Sequence, residues 1–498
     1  MRYLLLFSVF VIATCGLIYE LVAGTLASYL LGDSVTQFST VIGVYLFSMG
    51  VGAFFSKFIQ RNLPTVFVRV ELLIALVGGF SAATLFLVFN QVASFRFVLY
   101  GQVFLTGTLV GLEIPLLMRI LQGDLSFKDL VSNIFTFDYI GALAASLLFP
   151  LLLVPQLGLI RTALFFGLLN AIVALASIIT FRKELRMYPA HLAGAGLVIA
   201  ALVAGFVVSD RFMSFSESNT YPGNVIYSES TPYQRLVLTR ERNDLRLFLN
   251  GNLQFSSRDE YRYHEALVHP GLASVRDPKR VLILGGGDGL AAREILRYPQ
   301  VDSILLVDLD PAMTRLFRSH PMLVGLNTSS LHNPKLRVIN ADAFQWAREQ
   351  TRQFDFIVAD FPDPGNFSLG KLYSITFFTE MRRLLAPGGR MVVQSTSPYY
   401  APKSYWCIVH TLQESGFTTQ PYHTYVPSFG EWGYILASEK PMAFAQQYPP
   451  GLKFITPPTV EEMTHFPMDM AQRPTEVNRL NNQVLVNYFI AEWSAYDL

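Results

Sequence analysis

The chain has 498 residues, 51% of them hydrophobic and only 15% charged, with a formal net charge of +1. An ordinary soluble chain carries about 25% charged residues, so part of this one is made for an apolar setting, and the near-zero charge gives no footprint for nucleic acid. Two distant cysteines, Cys15 and Cys407, and histidines without an HExxH-type spacing exclude a disulfide framework and a recognisable metal site.

The charge deficit lies in residues 1–208, which are expected to form an α-helical transmembrane bundle. Arg2 followed by Tyr3 to Thr14 resembles a signal peptide, but the apolar pattern runs on through Leu31 and more spans follow. Thr14 is bulkier than the residue a lipoprotein site needs before Cys15. Stretches long enough for about 30 Å of hydrocarbon fall near 4–31, 38–57, 66–89, 97–121, 131–154, 159–181 and 190–208, seven in all. Gly107 and Gly111, in GxxxG spacing, suit close helix packing. Acids inside lipid are costly and mark function by default. Glu20, Glu113 and Asp138 lie well inside their spans and Glu71 nearer an end, with Arg69 and Arg119 as available partners. A cation bound or guided by these acids is the functional expectation; pairing and packing are the alternative. Arg2, Lys57, Arg61, Arg119, Lys128, Arg182, Lys183 and Arg186 fall on one side of a seven-span arrangement. The positive-inside rule then puts the soluble half outside a multi-pass cell (inner) membrane protein, whereas a metabolite ligand favours the cytoplasm.

Residues 213–275 read as a small β region and a helix. Gln234–Leu238 and Leu245–Leu249 alternate, and Asn250-Gly251 is a type I′ hairpin signal before Leu253-Gln254-Phe255. Asp259 and Glu260 suit a helix start, and Tyr263 and His264 can share a face behind them. Residues 276–440 read as an α/β Rossmann-like domain. Val281–Leu284 is a buried strand, Gly285, Gly286, Gly287 and Gly289 allow a sharp turn, and Ala291–Leu296 is a helix. About 20 residues after such a turn these folds place an acid on ribose hydroxyls. Asp308 stands there, at the end of strand Ile304–Val307. Further strands follow: 336–340 ends near Asp342, 355–359 ends near both Asp360 and Asp363, and 390–394 comes after a Pro387-Gly-Gly389 turn. Ligands in such sheets bind at the strands' carboxyl ends. Five acids there (Asp288, Asp308, Asp342, Asp360, Asp363) point to a site for cationic groups. Residues 441–498, with Pro449-Pro450 and Pro457-Pro458, are expected to be a partly ordered extension of unreadable role.

From about Ser230 to Ser438 the chain resembles the spermidine synthase family, the polyamine aminopropyltransferases, in the subgroup fused behind a multi-span membrane region. The matching residues are Tyr233-Gln234, Gly251–Gln254, Asp259-Glu260 with Tyr263-His264-Glu265, Gly285–Gly289, Asp308, Asp342, Asp360–Pro364, Leu372-Tyr373 and Trp432-Gly433. The resemblance implies transfer of the aminopropyl group of decarboxylated S-adenosylmethionine to an amine, with release of 5′-methylthioadenosine and no prosthetic group. Putrescine as acceptor would give spermidine. It also implies residue roles. Asp308 would hold the ribose hydroxyls, standing where the family usually has Glu. Asp342 would accept from the adenine amino group, with the Ala343 backbone alongside and Gln234 on the thioadenosine portion. Gly285 and Gly287 would let the donor approach. Asp288 would hold the donor's ammonium, Asp360 would be the base, and Asp363 would bind the acceptor. Tyr263 and His264 would line the same pocket, with Gln254, Tyr373, Glu431 and Trp432 as further candidates. Ala343 replaces a common Gly, and Phe367 stands where a nucleoside-contacting Pro is expected.

Two other readings use the same residues: a methyltransferase acting with S-adenosylmethionine on the same fold, and a polyamine sensor or transporter that only binds. Small-molecule amines and nucleosides, a lipid bilayer and a second copy of the chain in a dimer are the expected partners.

Overall fold

A computed structural model of the chain describes residues 2–31, 34–89, 95–122 and 126–496. It divides into two compact units, Met1–Val225 and Ile226–Leu498.

The first unit is helical: α1 (Arg2–Leu31), α2 (Ser34–Ser56), α3 (Leu63–Gly79), α4 (Ser81–Phe89), α5 (Phe95–Leu121), α6 (Phe127–Leu148), α7 (Val154–Thr180) and α8 (Tyr188–Thr220). Among the described residues, six stretches are long and apolar enough, by length and composition, to cross a bilayer. One of them, Lys128–Thr180, has 53 residues, about 80 Å if straight. It cannot be straight: a wide turn occupies Phe149–Leu153, prolines stand at 150 and 155, and Gly158 has φ 70° and ψ 178°. The stretch therefore holds two helices of 22 and 27 residues. The glycine spacing of α5 acts as a groove. A Cβ on Gly111 would lie 2.2 Å from the Met49 carbonyl oxygen of α2, so only glycine admits this approach.

A four-stranded sheet follows, β1 (Asn224–Ser230), β2 (Arg235–Glu241), β3 (Asp244–Leu249) and β4 (Asn252–Ser256), in which β2, β3 and β4 pair antiparallel. Asn250 (φ 50°) and Gly251 (φ 85°) turn β3 into β4, as an Asn-Gly pair is suited to do. Then follow α9 (Glu260–Leu272), β5 (Arg280–Gly285), α10 (Leu290–Ile295), β6 (Ser303–Asp308), β7 (Leu336–Asn340), β8 (Phe354–Asp360), β9 (Leu385–Gln394), β10 (Thr418–Val426) and β11 (Gly430–Ser438). The second sheet has the order β10-β11-β9-β8-β5-β6-β7, with β9, β8, β5, β6 and β7 mutually parallel and β10 and β11 antiparallel at one edge. Pro387-Gly-Gly389, read as a turn before a strand, instead bulges inside β9: Phe354 pairs with Leu385 but Phe356 with Arg390.

The strands read as unbroken apolar runs because both faces of the sheet are covered. Val281, Ile283, Leu306 and Phe356 face one core, shared with β2, β3 and α9; Leu282, Leu284, Val307 and Ile357 face the other, with Phe377 and Trp406. Residues 441–498 join both cores through Ile455, Val460 and Met463 on one face and Val484 and Leu485 on the other. Neighbouring β5 and β8 lie where the strand order reverses, and ligands bind at the carboxyl ends of strands at such a point. Gly285 and Asp360 end these two strands and are register partners.

Candidate active site

The glycine turn makes room for two carboxylates. Gly285 (φ 80°) has no space for a side chain: a Cβ would sit 2.1 Å from the Asp360 carbonyl oxygen. At Gly287 a Cβ would meet Asp308 Oδ2 at 2.7 Å. The Gly287 N–H donates to that oxygen at 3.1 Å, and Asp310 N–H donates to Asp308 Oδ1 at 2.9 Å. Burial outweighs these two donors and lifts the Asp308 carboxyl to about 6.

Asp310, two residues onward, caps the next helix through Ala312 N–H at 2.9 Å and accepts Gln234 Nε2 at 3.1 Å and Thr231 Oγ1 at 2.8 Å. It therefore anchors Gln234 beside Asp308. Asp342 caps the helix Ala343–Glu349 through Phe344 N–H at 2.8 Å, while its Oδ2 is held by Lys371 Nζ at 2.6 Å. A lysine from the segment after β8 thus shares one oxygen of Asp342.

At the end of β8, Tyr263 Oη donates to Asp360 Oδ1 at 2.6 Å. Burial, then the nearby charge of Asp288, pushes Asp360 up to about 6, against the pull of His264 and of the tyrosine hydrogen bond. Asp288 is itself buried and raised by that burial, with Leu290 N–H on Oδ1 at 2.8 Å. His264 is 3% exposed and gives Nδ1 to Glu260 Oε2 at 2.8 Å. Arg293 grips the same glutamate with two bonds, at 2.8 and 2.9 Å. Burial pulls the His264 imidazole down, Glu260 pulls harder the other way, and the net position is about 8. The fields of Asp288 and Asp360 both reach His264.

Asp363 accepts Gln394 Nε2 at 3.0 Å and Thr396 Oγ1 at 3.2 Å, and burial raises it to about 6. Tyr373 lies between, its hydroxyl 3.1 Å from both the Pro362 carbonyl and Gln394 Oε1. Asn478, fully buried, donates Nδ2 to the carbonyls of Gly370 and Tyr373 at 2.9 and 3.2 Å. Residues 441–498 are therefore no loose appendage: their buried Asn478 fixes the loop that precedes Tyr373.

Asp288, Asp360, Tyr263 and His264 come together at the β5/β8 crevice, with Asp363 and Tyr373 beside them. Other expected residues have partners of their own. Gln254 Nε2 turns back on its own strand, to Asn252 O at 3.4 Å. Glu431 is taken by His423 Nδ1 at 2.5 Å. Trp432 is packed on Phe429, with its indole N–H buried and unpartnered. Sequence reasoning missed Glu260 as a buried partner, along with Arg293, Lys371, Gln394, Thr396 and Asn478. Only Glu260 carried a signal, its spacing of four residues before His264.

The Spermine/spermidine synthase domain matches residues 260–448. Over its whole length the chain is similar to a curated protein named polyamine aminopropyltransferase from Leptospira interrogans, with 52% identity over 99% of both chains. The chain belongs to the polyamine aminopropyltransferase (spermidine synthase) family. Polyamine aminopropyltransferase 2 of Ralstonia nicotianae is 54% identical over 98% of both chains. Among solved structures, a spermidine synthase from Thermotoga maritima matches 49% of this chain and 84% of its own, with 23% identity and a TM-score of 0.45. Members of this family use decarboxylated S-adenosylmethionine as co-substrate and hold no prosthetic group.

Proposed function

We propose that this chain transfers the aminopropyl group of decarboxylated S-adenosylmethionine to putrescine, giving spermidine and 5′-methylthioadenosine. The observation that carries the reading is the carboxyl pair Asp288 and Asp360 at the switch point, with Tyr263 donating to the latter. The donor sulfonium is already a good leaving group. Chemistry is therefore limited by freeing and aligning the amine. Asp360, at about 6, is ionised at neutral pH yet basic enough to take the ammonium proton. The nitrogen lone pair then attacks the methylene carbon beside sulfur, the C–S bond breaks, and its electrons stay on the departing thioether. Asp288 holds the donor's own ammonium and Asp363 the far end of the acceptor. Asp308 takes the ribose hydroxyls, Gln234 the thioadenosine portion, and Asp342 with Ala343 the adenine edge.

Asp288 also argues against the methyltransferase alternative, since it would face the carboxylate that S-adenosylmethionine retains. The test is methylthioadenosine release from decarboxylated S-adenosylmethionine with putrescine, cadaverine or spermidine. No product with any amine rejects the reading. Asp360→Asn is expected to lower turnover by about 10²-fold or more while leaving donor binding, measured calorimetrically, within about threefold of the parent.

The helical unit is read as a multi-pass bundle of a cell membrane. Outward apolar side chains such as Phe97 (82% exposed) and Leu151 (75% exposed) support this, because water does not tolerate such a surface in quantity. Protease digestion of sealed vesicles decides on which side the catalytic unit lies.

A further inference from the structure

The helical unit contains an acidic pair that aminopropyl transfer does not use. Glu71 of α3 is fully buried and Glu113 of α5 is 1% exposed. Their carboxyl groups lie within hydrogen-bonding reach of each other. Both oxygens of Glu71 and Oε1 of Glu113 receive no donor. Tyr19 of α1, also buried, has an unpartnered hydroxyl, and the fields of both glutamates reach it.

The arginines available by sequence are engaged elsewhere. Arg69 Nε donates to His191 Nε2 at 3.3 Å and Arg119 Nη1 to the Ser56 carbonyl at 2.9 Å. The other titratable groups facing the pair are Cys15 of α1, Tyr45 of α2 and Asp138 of α6, and none is a cation. Tyr45 already donates to the Gly16 carbonyl and Cys15 to that of Phe166.

Two carboxylates in contact inside an apolar bundle need a counter-charge. Unit charges 4 Å apart repel by about 4 kcal/mol even at an effective dielectric constant of 20, and each buried ion adds a desolvation cost. Among the described residues nothing supplies the positive charge, so it comes from solution. No group of three or more His, Cys, Asp or Glu that could hold a metal ion occurs among the described residues. A proton needs no coordination shell and converts one carboxylate into a donor for the other. We propose that the helical unit is a proton-exchange site, holding one proton from solution between Glu71 and Glu113 with the Tyr19 hydroxyl beside them.

Infrared spectroscopy of the full chain in lipid nanodiscs tests this. At neutral pH the wild-type minus Glu71→Gln and wild-type minus Glu113→Gln difference spectra are each expected to show one carboxylic-acid carbonyl band that shifts down in D2O. Tyr19→Phe is expected to move the band without removing it, which keeps the test decisive if a Gln variant misfolds. Methylthioadenosine release stays near the wild-type rate in all three, because none lies in the catalytic unit. Absence of the band from the wild type overturns the proposal, as does its survival in both Gln variants. A melting midpoint that rises with sodium but not potassium, without an acid band, assigns the charge to a metal cation and overturns it equally.

Discussion

Replacing Tyr263 with Phe removes one oxygen and one hydrogen bond, the 2.6 Å donor to Asp360 Oδ1. That bond favours the carboxylate, so its loss raises Asp360 further above about 6. Hydrogen bonds to charged groups contribute about 1.5–3 kcal/mol, and each pH unit corresponds to about 1.4 kcal/mol. Asp360 keeps some solvent contact, which favours the lower end, a rise of about one unit. If Asp360 is the base, as proposed, it works only when ionised, so the rising limb of kcat/KM against pH is expected to move upward from about 6 to about 7. A one-unit move lowers the rate about threefold at pH 6.5 and hardly at all at pH 8.5. Initial rates of methylthioadenosine release across pH 5–9 measure this. A rising limb that does not move refutes the argument. A loss equal at every pH instead gives Tyr263 a direct contact with substrate.

Asp363→Asn preserves both hydrogen bonds, since Asn accepts from Gln394 and can donate to Thr396, but removes a buried charge whose carboxyl sits at about 6, above its usual 3.8. A raised carboxyl costs the folded state stability as pH climbs from its unfolded value through its folded one. The variant's melting temperature should therefore exceed the parent's by a few degrees at pH 7.5, with no gain near pH 4, while KM for the acceptor rises. Glu260→Gln breaks the bidentate hold of Arg293 and the bond to His264, for a loss of about 3 kcal/mol. His264, raised to about 8 by Glu260, contributes its share below about pH 6.5 and loses it above about 8. Thermal denaturation should then show a larger deficit at pH 6 than at pH 9. Asn478→Ala leaves two buried carbonyls without their donor, at a cost of about 1–3 kcal/mol. Chemical denaturation reads that loss, and acceptor KM rises more than donor KM.

How much could be read in advance depended on whether the signal was local. An apolar run ending in an acid is local, so Asp308 and Asp360 were visible as strand-end groups at the crevice. Gly287 was visible too, although its packing on Asp308 was not. What escaped were partnerships across the fold. Arg293 meets Glu260 from 33 positions away and Lys371 meets Asp342 from 29. Thr396 adopts φ 53° beside Asp363, a conformation its residue type does not announce. Residues 441–498 misled for the same reason: proline pairs and scattered asparagines show no periodicity, yet Glu265 accepts backbone N–H groups from Lys453, Phe454 and Ile455 at 2.8–3.0 Å. In the helical unit the apolar stretches were plain. The engagement of Arg69 with His191 could not be foreseen from sequence spacing.

Asn478 places the brace of the Tyr373 loop late in the order of synthesis. Asp360 and the glycine turn leave the ribosome more than a hundred residues before it, and the Tyr373 loop waits for its brace until that late stretch has emerged. A nascent chain can thus settle its helices first while its transferase crevice stays unfinished.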